Sequence, residues 1–483
     1  MSASIIITTI VAYIALLFTV AYISGRRADN EGFFVGNRSS SWWVAMFAMV
    51  GAAMSGVTFV SVPGMVATNG FSYFQMALGF TAGYFVIAFV LIPLFYRMKL
   101  VSIYGYLEER FGMGAYKTGA WFFFISKLLG ASVRLFMICL VLQLLLFEPY
   151  GVPFWINAAI TVALVLLYTF QGGVKSLIWT DTLKTACLVL SIALSVYFVS
   201  DRLDMSFSDL VAAVRENENS RIFYFDDIND RRYFFKQFFA GLFSVIAMTG
   251  LDQDMMQRSL SCRNYRDSQK NMVVSTFLQT FIIFVLHVLG VILYIFAERV
   301  GIALPAGTDN MFPTVATSPT MPIIVGVLFI LGLVSSTYSS AGSALTALTT
   351  SFTIDVLGGA KRFDDEQLTK VRKGVHIAMA VAMFVVICML HHLGRSSVID
   401  AVYTLASYTY GPILGLFAFG IFTKWKIRGG VGVVAVAAPL LCFILQQNSE
   451  RWFAGYKFGY ELLIVNALLT FIGLVLLIKR DSK

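Results

Sequence analysis

The segment from Ser335 to Ser343 is dense in hydroxyl groups, because seven of its nine side chains carry one. If the segment is helical, Ser339 and Ser343 lie on one face, since residues four apart are neighbours on a helix. Neutral oxygens suit a hard monovalent cation better than a set of carboxylates does. The pattern therefore predicts a cation site. The alternative is that each hydroxyl bonds to the backbone of its own helix.

A second segment, Gly51–Thr58, combines two glycines with Ser55 and is followed by Pro63-Gly64. These residue types weaken a helix near its middle. An interrupted helix exposes carbonyl oxygens that can bind ions. The segment predicts either such an interruption or a face of small residues against which another helix packs.

Two further places hold charged residues inside apolar runs: Arg134, and the pair of Asp181 and Lys184. An arginine in hydrocarbon is costly and needs a partner or water. That partner is either a carboxylate on a solute, which arginine binds bidentately, or an internal ion pair. Asp181 and Lys184 are three residues apart, which favours a local ion pair, with an ion ligand as the alternative.

The composition indicates a membrane protein along its whole length. The chain has 483 residues, of which 58% are hydrophobic and 13% charged, whereas a soluble domain carries about 25% charge. The net charge of +9 is attributed to cytoplasmic loops rather than to nucleic-acid binding. The first apolar run is followed by Arg26-Arg27 and by no small-residue cleavage site, so we interpret it as a retained span.

Apolar runs long enough to cross a bilayer predict about thirteen spans. Their ranges are 4–24, 41–66, 71–96, 118–146, 154–171, 177–199, 234–253, 272–297, 321–354, 373–392, 398–423, 430–446 and 458–478. An odd number places the termini on opposite sides. With the N-terminus outside, the inner segments hold 23 of the Lys and Arg residues and the outer segments hold 10. The positive-inside rule then predicts an external N-terminus and a cytoplasmic C-terminus in the cell (inner) membrane.

Several function classes have no support in the sequence. There is no GxxxxGK[ST] phosphate loop, which argues against an ATP-driven pump. The five cysteines form no CxxC pair and no disulfide framework. No nucleophile–base set appears, so we expect no enzyme activity and no organic cofactor. Transport energy must come from an ion gradient, a partner or the gradient of the solute.

Taken together, these segments resemble the sodium/solute symporter family along essentially the whole chain, and in the site residues they are most similar to bacterial sodium/sialic acid symporters. The resemblance depends on six motifs in order. They are Gly51–Ser61, Ser102–Phe111, Gly172–Asp181, Gln253–Arg258, Ser335–Ser343 and Gly411–Phe417.

The resemblance implies the leucine-transporter fold within a single transmembrane domain, 1–483. Five helices over 41–199 would repeat in inverted orientation over 232–424, and spans 4–24, 430–446 and 458–478 would lie outside the repeats. The first helix of each repeat would be broken. Gly241 and Thr249-Gly250 are consistent with the second break.

The resemblance also implies site residues. A sodium ion would be bound by carbonyl oxygens of Gly51, Met54 and Ser336 and by hydroxyls of Ser339 and Ser340. The solute would contact Ser55, Thr58 and Arg134, with Arg134 on its carboxylate. Gln75 is a further solute candidate, although the alignment there is two positions off.

A second sodium site, at Asp181, Ser339, Gly342 and Ser343, departs from the family pattern. Gly342 replaces a hydroxyl residue, and Lys184 stands where the family commonly has Gln. We therefore expect one sodium ion per solute.

The predicted function is sodium-coupled import of a small solute, with a carboxylate-bearing compound such as sialic acid as the named candidate, by a monomer in the lipid bilayer. Alternatives are a neutral sugar, an amino acid or another monocarboxylate as solute. Different classes are a membrane sensor without transport and a passive channel.

Overall fold

The computed structural model describes residues 1–25, 41–98, 103–169, 174–304, 307–358, 362–393 and 397–479, and these are largely helical. In that part of the chain the extended pairing is a single isolated bridge between Ile427 and Ile478. Helices are expected, because a backbone in hydrocarbon must satisfy its polar groups within its own segment. The all-α prediction is confirmed.

The helices are labelled in chain order. Those of the first half are α1 (Ala3–Gly25), α2 (Trp42–Ala53), α3 (Gly56–Gly64), α4 (Ser72–Met98), α5 (Gly105–Phe111), α6 (Met113–Tyr150), α7 (Phe154–Thr169), α8 (Val174–Arg202) and α9 (Phe207–Glu216). Those of the second half are α10 (Phe234–Gly250), α11 (Gln253–Leu260), α12 (Tyr265–Val300), α13 (Met311–Ala316), α14 (Ile323–Ser351), α15 (Asp365–His392), α16 (Val398–Thr409), α17 (Gly411–Phe422), α18 (Val431–Gln447) and α19 (Leu462–Leu476). Short turns at Val66–Asn69 and Ser449–Trp452 carry no label.

Within the described residues, seven helices are long and apolar enough to cross a membrane, or up to ten if each of three bent pairs counts as one span. Three shorter apolar helices, α7, α18 and α19, lie at the positions of three of the predicted spans. The count of thirteen stays a prediction, because these three are shorter than the roughly 20 residues that a bilayer requires.

The second predicted span is broken between α2 and α3, which meet at 57°. Met54 and Ser55 have extended backbones at the break. The interruption leaves the last carbonyl groups of α2 without helical donors. On either side of the break, Gly51 packs against the Asp181 carbonyl of α8, and Gly56 packs against the Thr337 and Ser336 side chains of α14. The segment thus has both features that the sequence left open, an interruption and a small-residue packing face.

The seventh predicted span is broken between α10 and α11, which meet at 73° after a π-helical turn over Ile246–Gly250. Thr249-Gly250 lies at the break, as predicted. Gly241 does not: it lies within α10, where an added methyl group would approach the Met76 carbonyl oxygen to 2.2 Å. The helical segment also continues to Leu260, whereas the predicted span ended at 253. The prediction ended early because the second part of the segment is polar and a hydropathy pattern does not detect it.

Helix α8 packs on both α2 and α14 and so lies between two of the predicted ion-binding segments. A methyl group on Gly51 would lie 2.4 Å from Thr185 Oγ1 and 2.7 Å from the Asp181 carbonyl oxygen. Small residues allow this approach, as is common between membrane helices. The fold thereby brings the α2–α3 break, α8 and α14 to one place.

Candidate functional site

A cavity lies beside both helix breaks and is lined by residues of α2, α3, α4, α6, α10, α11, α12 and α16. Its volume is about 990 Å³, which includes space open to solvent. Three of the four predicted solute residues line it: Ser55, Thr58 and Arg134. Ser55 precedes the first turn of α3 and Thr58 lies within that helix, so both hydroxyls belong to the C-terminal side of the first break.

Arg134 is the cavity residue whose charge is least neutralised by other side chains of the described residues. It is partly exposed to the cavity and forms no hydrogen bond or ion pair with any of the described residues. Lys127, two turns earlier on the same face of α6, is in contrast 5% exposed and held by two carboxylates. Its Nζ lies 3.1 Å from Asp252 Oδ2 and 2.8 Å from Asp254 Oδ2.

Asp252 is a fixed part of the second break. Its carboxylate accepts the Met255 N–H at 3.1 Å, which caps α11, and the Tyr410 hydroxyl at 2.9 Å. It is 2% exposed. With Lys127 as a third partner, this carboxylate is committed to holding the break in place.

The structure does not place Gln75 in this cavity. Its side chain is fully buried. The amide nitrogen donates to the Arg232 carbonyl at 2.8 Å, and the amide oxygen accepts the Tyr224 N–H at 3.1 Å. Gln75 therefore ties the loop between α9 and α10 to α4.

A different glutamine, Gln279 on α12, lines the cavity. Its amide oxygen accepts the Tyr84 hydroxyl at 3.2 Å. Its amide nitrogen is buried and has no hydrogen-bond partner among the described residues. Sequence reasoning missed this residue. A polar amide in the middle of the apolar run 272–297 was the available signal.

Lys184 on α8 reaches the predicted first sodium site. The side chain is fully buried. Its Nζ donates to Ser340 Oγ on α14 at 2.5 Å. The same hydroxyl donates to the Ser336 carbonyl at 2.9 Å, so two predicted ligands bond to each other and one of them to the lysine.

Several hydroxyl groups of the Ser335–Ser343 segment bond to the backbone of their own helix, which is the alternative to a cation site. Ser335, Ser336 and Ser340 each donate to a backbone carbonyl three or four residues earlier in their own helix. Thr337 Oγ1 is buried without a partner among the described residues and faces Gly56. The Ser339 side chain lies outside the described residues.

Arg258 on α11 connects the residues of the predicted second sodium site. Its Nε donates to Asp181 Oδ2 at 3.0 Å and its Nη2 to Ser343 Oγ at 2.5 Å. Its Nη1 donates to Asp254 Oδ1 at 2.8 Å. A guanidinium group therefore lies where the resemblance implies a second ion. The ion pair described for the Asp181 carboxylate is with Arg258 and is not the predicted local pair with Lys184, whose ammonium group bonds to Ser340.

Comparisons with known proteins identify the family of this chain. A profile described as "Sodium:solute symporter family" matches residues 33–431. The chain belongs to the sodium:solute symporter family. This symporter is therefore a multi-pass membrane transporter rather than an enzyme, its family couples a small solute to Na⁺, and no other cofactor is indicated.

Among its curated relatives, the symporter is 22% identical to the sodium/sialic acid symporter SiaT of Proteus mirabilis, over 89% of this chain and 86% of the relative. It is 24% identical to sodium-coupled monocarboxylate transporter 2 of Danio rerio, over 86% of this chain and 66% of the relative.

A solved structure of a Na⁺-coupled sialic acid symporter, substrate-bound and outward-open, superposes with a TM-score of 0.81. The sequences are 20% identical, and the match covers 98% of this chain and 99% of that one. The likeness confirms the leucine-transporter fold. The inverted repeat over 41–199 and 232–424 stays a prediction.

Proposed function

We propose that this symporter uses the sodium gradient to import a small solute that carries a carboxylate, with sialic acid as the first candidate. The observation that carries the proposal is Arg134, a cation that lines the cavity and has no partner among the described residues. A guanidinium group binds a carboxylate bidentately.

The charges around the cavity support an anionic solute. Lys127 and Arg258 form ion pairs with Asp181, Asp252 and Asp254, and the buried Lys184 lies close to Asp181 and Asp254. The three positive and three negative charges balance, so Arg134 adds an uncompensated positive charge at the cavity wall. A solute carboxylate would neutralise it. The relatives named for sialic acid and for monocarboxylates take solutes of that chemistry.

The Ser55 and Thr58 hydroxyls and the Gln279 amide would contact the polar parts of the solute. The sodium ion would lie among the oxygens of Gly51, Met54, Ser336, Ser339 and Ser340. Ion and solute would each raise the affinity of the other by the same factor, because coupling between two sites is reciprocal. Transport would then proceed by alternating access as one helix bundle rocks against the other.

We further propose that the symporter is a monomer in the inner membrane, with its N-terminus outside and its C-terminus in the cytoplasm. The charge asymmetry of the short loops supports this orientation. The alternative solute is a neutral sugar or amino acid, in which case Arg134 serves the structure.

The test is thermal stabilisation of the purified protein by N-acetylneuraminic acid in sodium and in potassium, since a ligand of the folded state raises stability by mass action. We expect a sodium-dependent shift that R134Q removes and that R215Q, on an exposed position of α9, retains. A wild-type shift that R134Q retains in full would contradict the role of Arg134. Uptake into sealed liposomes against the solute gradient would then separate a symporter from a channel or a sensor.

A further inference from the structure

The position of Lys184 bears on how this chain handles sodium. The ammonium group donates to Ser340 Oγ, one of the hydroxyls that the resemblance assigns to the ion. Its side chain is fully buried, so no solvent competes for that bond. A lysine is a strongly hydrated point charge, and holding it in a protein interior requires oxygen partners.

Lys184 lies on α8, the helix that packs on both α2 and α14. Its helix packs against Gly51 through the neighbouring Thr185, whose Oγ1 donates to the Phe47 carbonyl at 2.7 Å. The α2–α3 break therefore lies against the same stretch of α8 that carries the lysine. On the other side are the Ser340 hydroxyl and the Ser336 carbonyl that it contacts.

The charges that face Lys184 come from three helices. Asp181 lies one turn earlier on α8, Asp254 and Arg258 lie on α11, and Arg134 lies on α6. The three carboxylates form ion pairs with Lys127 and Arg258, and Lys184, which faces Asp181 and Asp254, brings the number of positive charges to three. A sodium ion added beside Lys184 would leave an excess positive charge in a medium of low dielectric constant, which is unfavourable.

We propose that the Lys184 ammonium group occupies the position of the first predicted sodium ion and competes with sodium for the Ser340 oxygen. The inference rests on the proposed function only for the location of that ion. Sodium binding in this chain then requires Lys184 to withdraw from Ser340, which raises the sodium concentration needed for transport. Removal of the lysine charge leaves the cluster with one unbalanced carboxylate, which a sodium ion can compensate.

The experiment measures thermal stabilisation by sodium chloride, with potassium chloride at equal ionic strength, for wild type, K184Q and K184M. We expect the half-saturating sodium concentration to fall roughly tenfold or more in both variants, because two like charges at contact distance no longer repel. K370Q is the matched control, since Lys370 is a solvent-exposed lysine paired with Glu366 on α15. It should respond to sodium as wild type does.

A second substitution locates the effect. S340A in the K184Q background should cancel the gain in sodium affinity, because sodium and the ammonium group compete for the Ser340 oxygen. The effects of substituting residues in contact are not additive. The melting transition in potassium shows whether each variant is folded. K184M, which removes the charge with an apolar side chain, carries the test alone if K184Q does not fold.

The remaining outcomes are distinct. Equal half-saturating sodium concentrations in wild type, K184Q and K370Q would overturn the inference, and so would a lack of sodium response in every variant. If sodium stabilises K184Q but not the wild type, the ammonium group excludes sodium from the site. That result supports the occupancy of the site by Lys184 and contradicts the sodium-driven transport of the proposed function. Solute binding through Arg134 is measured separately and does not depend on these results.

Discussion

Three cationic side chains near the cavity differ in what compensates them, and that difference separates structure from recognition. Lys127 is held by Asp252 and Asp254, and removing one partner of such a buried pair is strongly destabilising. Lys184 is bonded to a neutral hydroxyl. Arg134 has no partner among the described residues. The degree of internal compensation, rather than the charge alone, indicates which of the three meets a solute.

Gln279 gives a prediction at the same scale. Gln279 lines the cavity, and its buried amide nitrogen has no partner in the described part of the chain, so we expect a polar atom of the solute to bond to it. We expect Q279A to weaken binding of N-acetylneuraminic acid about tenfold, as the loss of one hydrogen bond to a charged or strongly polar group does. Titration of the solute against the melting temperature in saturating sodium measures this affinity.

The control for this prediction is Q269A. Gln269 lies on the same helix, ten residues earlier, and donates to the Ala88 carbonyl at 3.0 Å outside the cavity. Its substitution changes a helix contact but no cavity surface. If the two alanine variants bind the solute with the same affinity, Gln279 does not contact it.

The candidate site could be predicted from sequence where local chemistry decides it. Arg134 was visible as a charge in an apolar run, and the weakened helix marked the segment that holds Ser55 and Thr58. The role of these two residues towards the solute came from the family resemblance, and all three line one cavity. The partners of Gln75 and Arg258 could not be predicted. They lie 157 and 77 residues away along the chain, and only the packed structure brings them together.

At the scale of helices, the contact between α4 and α10 depends on glycines. An added methyl group on Gly241 would lie 2.2 Å from the Met76 carbonyl oxygen, and a backbone atom cannot yield as a flexible side chain does. We expect G241A to lower the free energy of unfolding by about 1–3 kcal/mol, the usual cost of overpacking. Denaturant unfolding in detergent, followed by tryptophan fluorescence, measures the change.

The matched variant is G374A on α15, where nothing lies within 4 Å of the added methyl group. Alanine is the better helix former, so this variant should be as stable as wild type or up to about 1 kcal/mol more stable. Equal stability of the two variants would mean that the α4–α10 contact can relax at no cost.

The two helix breaks show how much of the fold the sequence predicts. Both lie in segments that combine glycine with small polar residues, and both were expected. The extension of the second one to Leu260 was not expected. Its Arg258 is bonded to Asp181 and Ser343 on other helices as well as to Asp254 in its own segment. The segment is therefore polar although it is buried, and a hydropathy pattern ends too early there.

At the scale of the whole molecule, the segment between α12 and α14 connects parts of the chain that are far apart in sequence. The Thr308 carbonyl lies against Gly64, at the end of α3. The Asp309 carboxylate accepts the Val398 N–H at 2.7 Å, where α16 begins. The N-terminal amino group donates to the Thr317 carbonyl at 2.7 Å. This segment therefore links the first broken helix, α16 and the N-terminus outside the spans.

Asp309 makes this link sensitive to pH. Burial raises the pKa of its carboxyl from 3.8 to about 6. Below pH 3.8 the group is protonated in both states. As pH rises from 3.8 to 6, the unfolded chain ionises while the folded protein stays protonated, so ionisation favours unfolding. Stability is lost over that window by up to about 3 kcal/mol, and no further loss from this group follows above pH 6.

The variant that tests this is D309N, whose amide oxygen can still accept the Val398 N–H but cannot ionise. We expect the wild-type melting temperature to fall between pH 4 and pH 6 relative to that of D309N, and the two curves to run parallel from pH 6 to pH 8. D209N, on the exposed helix α9, should follow the wild-type curve through the upper part of this range. Parallel curves for wild type and D309N over the whole range would mean that the carboxyl ionises without cost, and that the link between α3 and α16 does not depend on its protonation.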